Sequence, residues 1–96
     1  MAQLTSADWT TESGYWRDNF RTRPYIKADE FREFGYYEPA YRYGFESAHR
    51  YRGKSWDEAQ RDLEHGWEDY KLRGKLMWHD IKDAVRDAWD RATGDR

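Results

Sequence analysis

Apolar residues recur at helical spacing through most of the C-terminal half of the chain. Trp56, Ala59, Leu63, Trp67 and Tyr70 follow one another at intervals of three and four, which places them along one stripe of an α-helix. Ser55 precedes that stripe and Glu58 stands three positions after it, the pattern of a capping box, so a helix is expected to begin there. Gly74 ends or follows it. A second stripe, Trp78, Ile81, Val85, Ala88, Trp89 and Ala92, runs to a stop at Thr93 and Gly94. The short connection predicts an antiparallel helical hairpin over 55–93.

The two stripes also align with each other at a constant offset of 22, Trp56, Ala59, Leu63, Gly66 and Trp67 on Trp78, Ile81, Val85, Ala88 and Trp89. Each copy sets a Trp at both ends of an 11-residue step, about three helical turns, so both rings of a pair face the same way. Gly66 and Ala88, just before the second Trp, leave room for a neighbouring helix or ring. Two copies are too few for a solenoid and read as two amphipathic helices with aromatic cores.

Upstream, Pro39 at a favourable first-turn position and Tyr41, Phe45, Ala48 and Tyr51 at helical spacing predict a helix from Pro39 to Tyr51, with Gly53 after it. Gly44 weakens this helix by about 1 kcal/mol relative to Ala, a cost explained if another element packs closely there. Thr11 or Ser13 is expected to cap a short helix carrying Tyr15, Trp16 and Phe20, which must stop before Pro24. Between Tyr25 and Tyr37 the pattern is ambiguous; Glu30 to Phe34 reads as a further helical turn, broken by Gly35. No strand pattern appears. The fold class is therefore all-α, a small bundle of three to four helices in one domain spanning 1–96, with 1–12 frayed.

Composition changes this picture in one respect. Leu, Ile, Val and Phe together number only 11, a depletion that signals disorder when net charge is also high. Here 17 basic and 19 acidic side chains leave a net charge of −2, and 6 Trp with 8 Tyr can supply the core instead. Each buried aromatic removes roughly 150–250 Å² from water. There is no cysteine, so disulfides and thiolate sites are excluded. The N-terminus lacks a signal-peptide pattern and no apolar run reaches membrane-span length, which makes a cytoplasmic location and no membrane association the expectation.

Three stretches, Tyr37-Glu38-Pro39-Ala40-Tyr41-Arg42-Tyr43-Gly44, Tyr51-Arg52-Gly53-Lys54-Ser55-Trp56 and Ile81-Lys82-Asp83-Ala84-Val85-Arg86-Asp87-Ala88-Trp89, resemble an uncharacterised family of small bacterial proteins. Similar stretches also occur as modules in longer bacterial proteins beside segments loosely associated with stress or the cell envelope. The resemblance covers about residues 15 to 92. It implies a bacterial domain with a stress-related setting, and brings with it no activity, cofactor or catalytic residue.

Catalytic patterns are weak. His49, His65 and His79 belong to no metal or acid-base motif, and two His one helical turn apart with an intervening Glu are missing. The carboxylates alternate with Lys and Arg as on solvated helix faces, and Asp57 with Arg61 or Asp87 with Arg91 have the spacing of surface ion pairs. Ser6, Ser13, Ser47 and Ser55 read as caps or surface residues, and the dispersed glycines form no phosphate loop. No catalytic residue, cofactor or metal is expected, and the chain reads as a non-enzyme. A His-centred metal protein or enzyme stands third among the alternatives.

The most informative stretch is 41–54. Arg42, Arg50, Arg52 and Lys54 stand against one acid, Glu46, and alternate with Tyr41, Tyr43, Phe45 and Tyr51. Such interleaving suits either helix packing with cation–π contacts or a surface that holds phosphates and stacks bases, and Arg17, Arg21 and Arg23 could extend the latter. Eighteen aromatic rings are also many to hide in so small a domain, so some are expected to remain exposed for a protein partner or a homo-oligomer. The leading expectation is an interaction protein acting through Tyr41, Arg42, Tyr43, Arg50, Arg52 and Trp56. A nucleic-acid-binding protein using 41–54 is the alternative.

Overall fold

The computed structural model describes residues 8–26 and 33–94. Four α-helices form among them: α1 Trp9–Asn19, α2 Phe34–Arg50, α3 Trp56–Glu68 and α4 Trp78–Thr93. Single 3-10 turns follow α1 at Phe20–Thr22 and α3 at Lys71–Arg73. The protein is thus a small all-α bundle with an aromatic core. The frayed stretch expected over 1–12 lies outside the described residues up to position 7, and its last five residues are the cap and first turn of α1. Most of the turn expected at Glu30 to Phe34 also lies outside them.

The capping box at Ser55 forms completely. Glu58 N donates to Ser55 Oγ at 3.2 Å and Ser55 N donates to Glu58 Oε1 at 2.8 Å. The Ser55 backbone donor, joined by its hydroxyl, holds the Glu58 carboxyl below its ordinary pKa of 4.5. A lowered folded-state pKa stabilises the protein above the unfolded value and the gain is lost as pH falls through the folded one. The stability advantage of the wild type over Glu58→Ala should therefore be full at pH 7 and shrink on acidification toward pH 3, measured by urea unfolding at both pH values. At the far end, Gly94 closes α4 in the left-handed conformation, φ 80°.

Two boundaries differ from the sequence pattern. Helix α2 begins at Phe34, five residues before Pro39, which sits inside it. The ring removes only the hydrogen bond to Gly35, an exposed first-turn residue whose carbonyl water can satisfy. In return the earlier turn buries Phe34 and Tyr37, whose rings lie 5.6 and 6.1 Å from Phe20. Helix α1 starts at Trp9, not after Thr11 or Ser13. Asp8 caps it by accepting from Thr10 N at 3.0 Å, and Glu12 and Ser13 are buried within it.

The most extensive helix interface is between α2 and α4, not within the hairpin. At its centre Gly44 lies directly against the Val85 carbonyl, and a Cβ there would also stand 3.0 Å from Ala88 Cβ. The weak helix former at 44 and the small residue before Trp89 are one close crossing seen from its two sides. Gly66 does the same for a ring, since a Cβ on it would come within 2.5 Å of the Tyr43 hydroxyl. That hydroxyl donates to Leu63 O at 2.7 Å.

Aromatic rings fill the space between. Trp16 stacks on Tyr41 at 4.4 Å, and Trp56 stacks on Trp78 and meets Trp89 edge-on at 5.9 Å. Within the hairpin, Trp67 Nε1 donates to Leu76 O at 2.9 Å, whereas the buried Trp89 Nε1 has no hydrogen-bond partner among the described residues. Phenylalanine should therefore be tolerated better at 89 than at 67 by about 1 kcal/mol, the net worth of the hydrogen bond lost, since Leu76 O then keeps only the 3.4 Å contact from Arg73. Urea midpoints of the two variants measure the difference.

Two buried carboxylates lock α1 and the turn after it onto α4. Glu12 is 2 % exposed and accepts from Arg91 Nε at 2.8 Å, while the Arg91 guanidinium lies 3.4 Å from the centre of the Tyr15 ring. Asp87 accepts from Arg23 at 2.5 and 3.2 Å and from the Tyr25 hydroxyl at 2.8 Å. The surface pair expected between Asp87 and Arg91 is thus replaced by two long-range pairs, because the face of α4 carrying both residues is covered by the N-terminal segment.

Candidate interaction cleft

Of the six residues expected at the surface, three are core. Tyr41 is fully buried, and Tyr43 and Trp56 are each 5 % exposed. The reason is helical geometry: their spacing puts them on the stripes that face Trp16, Trp67 and Trp78, with which their rings pair. The excess of aromatics is absorbed as well. Eleven of the described rings are buried and the other six are partly buried against them, so no described aromatic is exposed. The aromatic self-association patch expected from composition is absent among the described residues.

The arginines behave differently. Arg42 and Arg50, on the outer side of α2, edge a cleft of about 510 Å³ between α2 and the end of α3. Arg52 lies beyond α2 and does not line it, though it is exposed. The opposite wall comes from Asp69, Tyr70, Lys71 and Leu72, which the stripe pattern had assigned to the core or to the turn. Tyr70 packs 4.8 Å from Tyr43 and donates to Glu46 Oε1 at 3.3 Å, and Glu46 also takes Arg42 Nε at 3.0 Å. Arg50 and Lys71 form no ion pair among the described residues. Leu72 is 50 % exposed, one of two large apolar side chains so left among the described residues. A sequence signal for this wall existed: Leu72 falls off the stripe that ends at Tyr70.

Burial pushes the Tyr43 phenol up to about 12, with Tyr51 adding to the rise and Arg50 opposing it. Burial likewise raises Tyr70, reinforced by Glu46. Both hydroxyls are therefore neutral donors near pH 7, suited to holding contacts and not to moving protons. The Arg42 guanidinium is held above its ordinary pKa by its hydrogen bond to Glu46, so it stays charged throughout.

A second cleft, about 360 Å³, opens over Arg23, Tyr25 and Asp87. Four of its five charged side chains are paired with one another, Arg23 with Asp87 and Arg86 with Asp90 at 3.7 Å, and the fifth is the exposed Asp83. Tyr25 is raised by burial and then by Tyr41 and Asp87, which keeps it a donor in this lock.

The histidines lie at helix ends. His49 Nδ1 meets Phe45 O at 2.9 Å, His65 is exposed in the last turn of α3, and His79 is exposed beside Asp80. The described residues contain no group of three or more His, Asp or Glu placed to hold a metal. No described helix is long and apolar enough to cross a membrane. No protein family, curated protein or solved structure matches the chain.

Proposed function

We propose that this chain is a non-enzymatic interaction protein whose contact surface is the cleft between α2 and the end of α3. The observation that carries the reading is the pairing there of two cations without ion-pair partners among the described residues, Arg50 and Lys71, with a half-exposed Leu72 and the edge of Tyr70. Arg and Tyr with an apolar neighbour in a concave site are the usual anchors of protein recognition. The occupant that fits is a segment of another protein bearing one large apolar side chain beside a carboxylate. The family resemblance adds a bacterial, stress-linked setting.

The structure favours this over nucleic-acid binding by 41–54. Tyr41, Tyr43 and Phe45 are buried and cannot stack on bases. Of the arginines that were to extend that surface, Arg17 and Arg21 lie over Phe34 and Phe20, and Arg23 is bound to Asp87.

A photo-crosslinking amino acid placed at Leu72, with the same group at the exposed Asp57 as control, tests the reading in cell lysate. A specific adduct is expected from position 72 alone, and Arg50→Glu should remove it. Adducts indifferent to position or to Arg50→Glu would overturn the assignment, and a crosslinked dimer of the chain would replace the separate partner with a second copy.

A further inference from the structure

We propose that residues 70–77, in the connection between α3 and α4, dock onto a negatively charged lipid surface. The two large apolar side chains exposed among the described residues, Leu72 at 50 % and Met77 at 46 %, both belong to this one segment. Lys71, Arg73 and Lys75 lie between and beside them, and no acid occurs from 70 to 79 in a chain whose net charge is −2. Asp69 and Asp80 border the segment, and Asp80 faces His79 at 3.1 Å.

The connection is a built shape. Arg73 N donates to Tyr70 O at 3.2 Å, Leu76 N to Arg73 O at 3.0 Å, and Gly74 turns the chain at φ 58°. Trp67 Nε1 pins Leu76 O from the core side. The Arg73 side chain turns back to cap α3, donating to Glu68 O at 3.0 Å and Leu76 O at 3.4 Å. What remains for an outside partner is Lys71 and Lys75, both exposed, with Leu72 and Met77.

That set fits lipid better than the alternatives. Lysines are mobile point charges that suit phosphate headgroups, whereas the planar fork that specifies a carboxylate partner, Arg73, is used internally. Leucine and methionine gain from any apolar medium without needing a shaped pocket. A nucleic acid would meet the lysines and give the apolar pair nothing. Lys71 and Leu72 also edge the cleft described above, but Lys75 and Met77 do not line it, so the two surfaces separate by mutation.

Co-sedimentation of the full chain with phosphatidylcholine vesicles, pure or enriched in phosphatidylglycerol, is the test. Binding is expected to the phosphatidylglycerol vesicles only, at low ionic strength, and to fall at about 0.5 M salt, where the Debye length drops to about 4 Å. Lys75→Ala alone, outside the cleft, should weaken it by roughly fivefold, and Lys71→Ala with Lys75→Ala by roughly fivefold per lysine. Leu72→Ser with Met77→Ser should weaken it by at least about tenfold. Arg50→Ala should leave it unchanged, and near-UV circular dichroism should show every variant folded. Failure of the wild type to sediment with the charged vesicles, equal binding to neutral ones, or equal binding by the variants would overturn the proposal. So would capture of an acidic protein or a nucleic acid through these side chains with vesicles left unbound.

Discussion

Gly44→Ala is expected to lower stability by about 1–3 kcal/mol, although alanine is the better helix former by about 1 kcal/mol. The new methyl group would be driven onto the Val85 carbonyl oxygen and against Ala88 Cβ, at the centre of the α2–α4 interface. Val85 O is main-chain, so it moves only if α4 moves, and α4 carries Trp78, Ile81, Val85, Ala88 and Trp89 into the core. Gly44→Val should prevent the two helices from closing. Urea unfolding followed by near-UV circular dichroism measures both. An alanine variant more stable than the wild type would mean that α2 and α4 do not cross at this distance.

The second large effect is expected at the Glu12–Arg91 pair. Arg91→Ala should cost about 3–5 kcal/mol because it leaves the buried Glu12 carboxylate without its cation. The same change removes the guanidinium from the face of Tyr15, so α1 loses both its polar lock and a cation–π contact to α4. That is a large part of the roughly 5–15 kcal/mol that holds a domain of this kind folded. Replacing both partners with apolar side chains, Glu12→Leu with Arg91→Met, should recover most of the loss, since no charge is then buried alone. Thermal and urea unfolding of the single and double variants close the cycle. A single variant within about 0.5 kcal/mol of the wild type, the range of ordinary surface substitutions, would show that Glu12 is solvated.

These predictions rest on features of very different legibility. The capping box at Ser55 and the stripes Trp56–Trp67 and Trp78–Trp89 could be read directly, because helical periodicity and capping are local rules. Gly44 announced a close approach through its cost, and the partner that justifies it turned out to be Val85, 41 positions later in the chain. The Glu12–Arg91 and Arg23–Asp87 pairs were not legible at all. They join residues 79 and 64 positions apart, and a carboxylate destined for the interior looks in sequence like any other.

The same limit explains the displaced contact surface. Tyr41, Tyr43 and Trp56 have the chemistry of interface anchors, but residues of that chemistry also build a core when Leu, Ile and Val are scarce. Spacing shows which residues share a face; it does not show whether another helix covers that face. The aromatics were covered, and Arg42 and Arg50, on the other side of α2, were not. The opposite wall of the cleft comes from residues after α3 stops, where the one trace in the sequence is Leu72 standing off the stripe.

Absorption of the aromatic rings into one chain's own core is therefore the central claim, and it separates a protein that meets a different partner from one that pairs with itself. Light scattering across a concentration series measures it most directly. A mass that stays at the 11.8 kDa of the single chain is the predicted result. A stable dimer at micromolar concentration that Arg50→Glu leaves intact would place rings in an interface between copies and contradict the account.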